Sequence, residues 1–212
     1  LGCQEAESQL LQFNTWNEMS VPITDSAIYQ DITFKSLELS GKSLKKSAFE
    51  DVVFEHCHFI NTDWQETKFN ECRFKNCNLS LVNLRGCHLA HVVFEECKIV
   101  GLDFFKCDKI LSISFHKCIL QTCNFTDLLL KGTSFAKSKI REVHFINTDL
   151  SKSNFTDTDL MGTVFHQCNL TKSDFRNAQN YAINLQTNNA KKAQFSFPEA
   201  INLLQSFDIT IS

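Results

Sequence analysis

With 212 residues, 43% of them hydrophobic, a net charge of −3, six Gly and two Pro, the chain has the material for one buried core and no linker composition. No stretch approaches membrane-crossing length, so neither a membrane span nor a membrane partner is expected. The whole reads as one soluble, cytoplasmic domain.

Residues 1–33 show no firm pattern and are expected to form an N-terminal cap. Glu5 to Phe13 has the spacing of a short amphipathic helix, Val21-Pro22-Ile23 reads as extended, and Ala27 with Tyr29 joins the register that becomes firm at residue 34. Leu1-Gly2-Cys3 resembles a lipoprotein cleavage site without the signal segment that should precede it, and is read as a truncated start.

From residue 34 onward a large apolar side chain recurs at every fifth position. The run Phe34, Leu39, Leu44, Phe49 continues to Phe104; after a one-residue slip near residue 107 it resumes at Ile110 and continues to Phe175. All 29 positions of the two runs are apolar. A fixed short period marks a repeat architecture and overrides local helix or strand preference. Two residues before most anchors stands a small or β-branched residue such as Ser47, Val52, Cys57, Thr62 or Cys77. Positions i and i−2 of an extended chain share one side, so both point inward. An odd period would turn a straight strand inside out at each repeat. The chain must therefore turn a corner every five residues, with the three mostly polar residues facing out. Corners in one sense wind a solenoid whose coils pair their backbones at about 4.8 Å.

The anchors also set the number of sides. Beyond the slip, Phe alternates with Leu or Ile from Phe115 to Phe175. Three sides would stack residues 15 apart and set Phe on Leu, whereas four sides stack residues 20 apart and keep Phe and Leu/Ile in separate columns. Phe34, Phe54, Phe74 and Phe94 already form one such column, so four sides are expected.

Cys77-Asn78-Leu79-Ser80-Leu81, Ser153-Asn154-Phe155-Thr156-Asp157 and Ser173-Asp174-Phe175-Arg176-Asn177 resemble the unit of the pentapeptide repeat family: a small residue, Asp or Asn, Leu or Phe, then two variable residues. The resemblance covers about two thirds of the chain. It implies an all-β fold, a right-handed quadrilateral β-helix over residues 34–195, of about seven coils and roughly 35 Å at β-ladder spacing.

Eight of the ten cysteines occupy the small inward position, with Cys57, Cys77, Cys97 and Cys118 in one ladder, and no Cys-x-x-Cys pair offers a tight zinc chelate. Stacked thiols run parallel instead of toward each other, so reduced thiols and a reducing compartment are expected.

Residues 196–212 leave the register. Ser196-Phe197-Pro198-Glu199 reads as a helix start with Ser196 as cap; Ala200, Ile201, Leu203, Leu204 and Phe207 follow at helical spacing, and Asp208 to Ile211 reads as a strand. In the Qnr-like branch of the family a comparable C-terminal helix joins two rods end to end. The resemblance thus implies a homodimer through Phe197, Ile201, Leu204, Phe207 and Ile209, with a monomeric cap as the alternative.

The seven histidines all fall at outward positions, and no Ser/His/Asp order, glycine-rich phosphate loop or dinucleotide fingerprint appears. Asp51, Glu71 and His91 share one corner column, read as solvated surface. No enzyme is expected, and no catalytic residue, cofactor or metal.

What remains is surface. The Qnr-like resemblance implies a DNA mimic, an acidic rod in the DNA-binding saddle of a type II topoisomerase (gyrase or topoisomerase IV), with quinolone protection as a consequence. Duplex DNA carries one negative charge per about 1.7 Å of axis, a line that stacked carboxylates can imitate. Residues 1–34 hold five acids and no Lys or Arg, and residues 109–141 hold six basic residues against Asp127. In residues 142–212 seven acids stand against five bases, and Asp149, Asp157, Asp159 and Asp174 are the candidate partner-binding residues. A rigid interaction scaffold for an unrelated protein is the alternative. The basic belt from Lys109 to Arg141 has no interleaved exposed aromatics, so direct nucleic-acid binding is not expected.

Overall fold

Each five-residue unit forms one side of a coil in the computed structural model, which describes residues 23–207. The helix expected over Glu5 to Phe13 and the strand over Asp208 to Ile211 lie outside the described residues. Strands run for only two to four residues because a corner follows every anchor. They pair in parallel with the coil above at a spacing of 20, as in Tyr29 with Phe49 and Phe34 with Phe54. Four sides therefore close one coil of a β-helix, and the anchors rise in four columns. Side 1 begins at Tyr29, side 2 at Phe34, side 3 at Leu39 and side 4 at Leu44, all buried. Nine layers result, about 38 Å from first to last at ladder spacing.

The second column is phenylalanine throughout: Phe34, Phe54, Phe74, Phe94, Phe115, Phe135, Phe155, Phe175 and Phe195. Successive rings lie 4.8–5.4 Å apart and within 17° of parallel. Phe104, Phe125, Phe145 and Phe165 stack in the fourth column, and their rings meet the second column edge-on, Phe135 and Phe145 at 5.5 Å and 79°. Stacking along the axis and edge-to-face contact across it are both geometries that the ring quadrupole favours.

Two irregularities interrupt the period. At the slip, Leu89 pairs with Ile110 and Phe94 with Phe115, a spacing of 21. A 3-10 turn at Phe104–Lys106 lies on the side where the extra residue enters. The second has no counterpart in the expected register: Phe165 pairs with Ile183, a spacing of 18. No large apolar anchor follows Ala178, and the Tyr181 ring fills the gap, 6.2 Å from Phe175 and 5.6 Å from Phe195. A turn at residues 185–188 restores the register, so Phe175 again pairs with Phe195 at 20.

Nearly every corner places the second residue after the anchor at positive φ, between 50° and 61° for non-glycine residues. Asn and Asp accept this conformation readily, while a β-branched residue does so at a cost. Thr122, at φ 50°, is such a residue. Thr122→Asn is expected to gain about 1 kcal/mol and raise the melting temperature by roughly 2–4 °C. A calorimetric scan showing a lower melting temperature would contradict the strain at this corner.

The inward position two residues before the anchor carries a donor as well as small bulk. Thr62 Oγ1 donates to the Leu39 carbonyl at 3.0 Å, Ser153 Oγ to Leu130 at 3.0 Å, and Thr163 Oγ1 to Ile140 at 2.8 Å. Cysteines do the same more weakly, Cys77 Sγ to Phe54 O at 3.4 Å and Cys118 Sγ to Phe94 O at 3.3 Å. Each bond reaches an anchor carbonyl of the coil below, and buried carbonyls need such partners. This explains the preference for Ser, Thr and Cys there over Ala. The nine described cysteines are free thiols. Burial pushes the Cys72 thiol up to about 12 and Cys123 up to about 11, which makes them poor nucleophiles.

Beyond side 2 of the last layer, a 3-10 helix spans Glu199–Phe207. Leu203 packs on the core. The helix thus lies over the end of the rod.

Candidate interaction surfaces

Where Asp or Asn precedes an anchor, it bends the chain. Its Oδ1 accepts from the backbone N–H two residues on: Asn78 from Ser80 at 3.2 Å, Asp149 from Ser151 at 2.9 Å, Asn154 from Thr156 at 2.9 Å and Asp174 from Arg176 at 3.0 Å. This is the Asx turn, and it makes the acid of the repeat unit a structural group first.

The four candidate acids spread over three sides. Half-buried Asp149 lies on side 1 and accepts from Asn169 Nδ2 at 3.0 Å. Half-buried Asp174 lies on side 2 in a two-pronged pair with Arg176, whose Nη2 is 2.6 Å away. Asp157 is exposed at the corner after side 2 and accepts from Asn177 at 3.0 Å. Asp159 begins side 3 and is held by Arg141 at 2.6 Å and Asn180 at 2.8 Å. Only Asp157 and Asp159 come together, beside Lys137, Lys139, Asn177 and Gln179 around a shallow groove. Hydrogen bonds from the Arg176 guanidinium hold the Asp174 carboxyl below the usual carboxylate range against partial desolvation. At Asp159 desolvation pushes upward, but Asn180 and Arg141 together outweigh it and the carboxyl ends low.

Of the candidate dimer residues, Phe197, Ile201, Leu204 and Phe207 are exposed, Phe197 at 83%. Ile209 lies outside the described residues. The basic belt is split: Lys109 and Lys131 lie on side 1, while Lys117, Lys137, Lys139 and Arg141 lie at the corner after side 2 and on side 3, where Lys117 pairs with Glu96 and Arg141 with Asp159. Among the described residues no three of His, Cys, Asp and Glu group as metal ligands, and no helix is long and apolar enough to cross a membrane.

The four-sided solenoid with its small–Asp/Asn–anchor unit defines a class, and known proteins of that class match it. Residues 47–119 and 113–195 match the family model of the pentapeptide repeat region, and the chain belongs to that family. Among solved structures it is similar to two trypsin-treated forms of QnrB1, a plasmid-mediated fluoroquinolone resistance protein. One is 18% identical over 89% of this chain and 92% of that one, with a TM-score of 0.50. The other is 16% identical over 88% and 100%, also with a TM-score of 0.50. HetL from a Nostoc cyanobacterium, a pentapeptide repeat protein involved in heterocyst differentiation regulation, is 18% identical over 78% and 84%, with a TM-score of 0.37. No curated protein matches the sequence. At these identities the likeness is one of fold.

Proposed function

We propose that this rod works by binding through its side surfaces, without chemistry of its own, and that its partner is a type II topoisomerase engaged as a DNA mimic. Quinolone protection in the cytoplasm would be the consequence. The observation that carries the reading is the likeness in fold, over 89% of this chain and 92% of the other, to a fluoroquinolone resistance protein. Asp149, Asp157, Asp159 and Asp174 are the proposed contacts. Asp157 comes first, being exposed and without a basic partner among the described residues, whereas Arg141 and Arg176 must leave Asp159 and Asp174 before those acids can meet a saddle. The exposed Phe197, Ile201, Leu204 and Phe207 fit an end-to-end homodimer.

Those two ion pairs also favour a second reading, a rigid scaffold for an unrelated protein, because a neutralised carboxylate does not imitate phosphate. Titration of the purified protein into gyrase supercoiling, with and without a fluoroquinolone, separates the two. Inhibition or drug protection at low micromolar protein is expected, and weakened by Asp157→Lys, a change at the candidate that closes no backbone turn and at a corner where Lys137 is native one coil below. No effect at high micromolar protein makes the scaffold the leading reading.

A further inference from the structure

The corner that follows side 1 differs from the other three in how its charge is ordered. Layers one to three place Asp31, Asp51 and Glu71 there, and layers seven to nine place Lys152, Lys172 and Lys192. Between them that position carries His91, Ser112 and Gly132, with Lys131 beside the last. All six charged residues are exposed, and none takes part in an ion pair among the described residues, although nine pairs form elsewhere on their surface. The corner after side 2, by contrast, mixes signs from layer to layer, with Glu96 below Lys117 and Lys137 below Asp157. A separation of charge along one edge, with the signs mirrored about layer five, is complementary to itself when a second copy runs the opposite way.

The middle of this edge carries a second feature. Among the described residues no backbone pairing joins residues 109–112 to residues 129–132, although the ladder of side 1 is closed below at Leu89 and Ile110 and above at Leu129 and Asp149. The seam opens one layer after the inserted residue and forms a cleft of about 50 Å³. Leu129, 80% exposed, and Leu111, 59% exposed, stand beside it. Unpaired strand backbone flanked by exposed leucine is a surface that proteins normally cover.

We propose that two copies associate side by side and antiparallel along this edge, about a two-fold axis at layer five. Asp31 then faces the partner's Lys192, Asp51 faces Lys172, and Glu71 faces Lys152, each pair formed twice. On side 1 itself, Lys68 in layer three comes opposite Asp149 in layer seven. The two seams lie half a layer to either side of the axis, and Leu111, in layer five on the axis, stands beside the other copy's open backbone. A parallel arrangement sets acid on acid and lysine on lysine, so the charges select direction as much as they add affinity. One side of a rod this long buries about 1,000 Å² in total, near the lower limit of a specific interface, so a micromolar and salt-sensitive association follows. This pairing is independent of any topoisomerase and uses a surface distinct from the C-terminal helix.

Sedimentation of the full chain tests it. Wild type is expected to show a lateral association step at low salt that weakens at least tenfold when the ionic strength is raised to about 0.5 M. Asp51→Lys with Glu71→Lys, and separately Lys152→Glu with Lys172→Glu, should each lose that step alone. Mixed at equal concentration, the two variants should regain it, because in the mixed antiparallel pair each of the six corner charges again meets one of opposite sign. Recovery in the mixture also certifies that both variants fold. Lysine is already native at this corner position at Lys152 and Lys172. Wild type without the step, reversals that associate like wild type, or a mixture that fails to associate would each overturn the pairing. An end-to-end dimer through the C-terminal helix would persist in both reversals and be removed by Phe207→Asp.

Discussion

Phe135→Ala is expected to lower the free energy of unfolding by about 4 kcal/mol, in the range of fully buried aromatic truncations. Phe135 is fully buried, stacked between Phe115 at 5.2 Å and Phe155 at 4.8 Å and met edge-on by Phe125 and Phe145. Neighbouring coils are stiff ladders, so the cavity left by the ring cannot close by collapse. In a solenoid each coil is stabilised only by the coils next to it. A defect in the sixth of nine layers therefore weakens the coupling between two halves, and the single urea transition should broaden or split. Phe195→Ala is the contrast. That half-buried ring stacks on Phe175 on one side only, with Tyr181 tilted against it at 5.6 Å, so its loss should cost less and leave one transition. A loss below about 1 kcal/mol at Phe135 would be incompatible with the continuous ring stack.

The period of five reveals the stack because it is a pure packing signal: a side chain that must fill the axis recurs wherever the chain returns to it. That logic carries through the slip, since Phe94 and Phe115 stay in one column although they are 21 residues apart. It fails where an anchor is replaced from another position. Ile183 and Leu185 both echo the register, Leu185 at the anchor position, but Ile183 takes the column two residues early, where Asn180 stands at the preceding anchor position and the Tyr181 ring fills that gap. Polar roles were less legible still. Asp159 and Arg141 are 18 residues apart in sequence, and only the coil brings them to 2.6 Å. The acid reads as free charge in the chain and as half of an ion pair in the fold. The open seam between residues 109–112 and 129–132 was hidden for a similar reason. A slip tells that one residue is extra, while the backbone decides which ladder it breaks.

The donor at the inward position leads to the other large expected effect. Thr148 is buried, with Oγ1 2.7 Å from the Phe125 carbonyl oxygen and 3.0 Å from that of Ile146. Thr148→Ser keeps the donor and should cost under about 1 kcal/mol, whereas Thr148→Val leaves a carbonyl without its partner at about 1–2 kcal/mol, independent of pH. Thr148→Asp is different in kind. A carboxylate facing two carbonyl oxygens away from water is repelled by both, so the folded state accepts the group only when it is protonated. Its folded pKa then lies above the unfolded value of about 3.9, and the folded state binds the extra proton. Stability of the variant therefore falls as pH rises above that unfolded value, by about 1.4 kcal/mol per unit, until the folded group itself ionises. A deficit of about 4 kcal/mol at pH 7 that shrinks to about 1 near pH 4.5 is expected from urea midpoints of variant and wild type. Wild type has the opposite dependence through Asp159 and Asp174. Their lowered carboxyls contribute stability that is present above the unfolded pKa and lost as pH falls through the folded one, so measurements are compared above pH 4. A Thr148→Asp deficit that stays the same between pH 4.5 and 7 would mean that the carboxylate finds water at this position. The inward column would then be open to solvent there, and the closed axis that the phenylalanine stack requires would be broken at that coil.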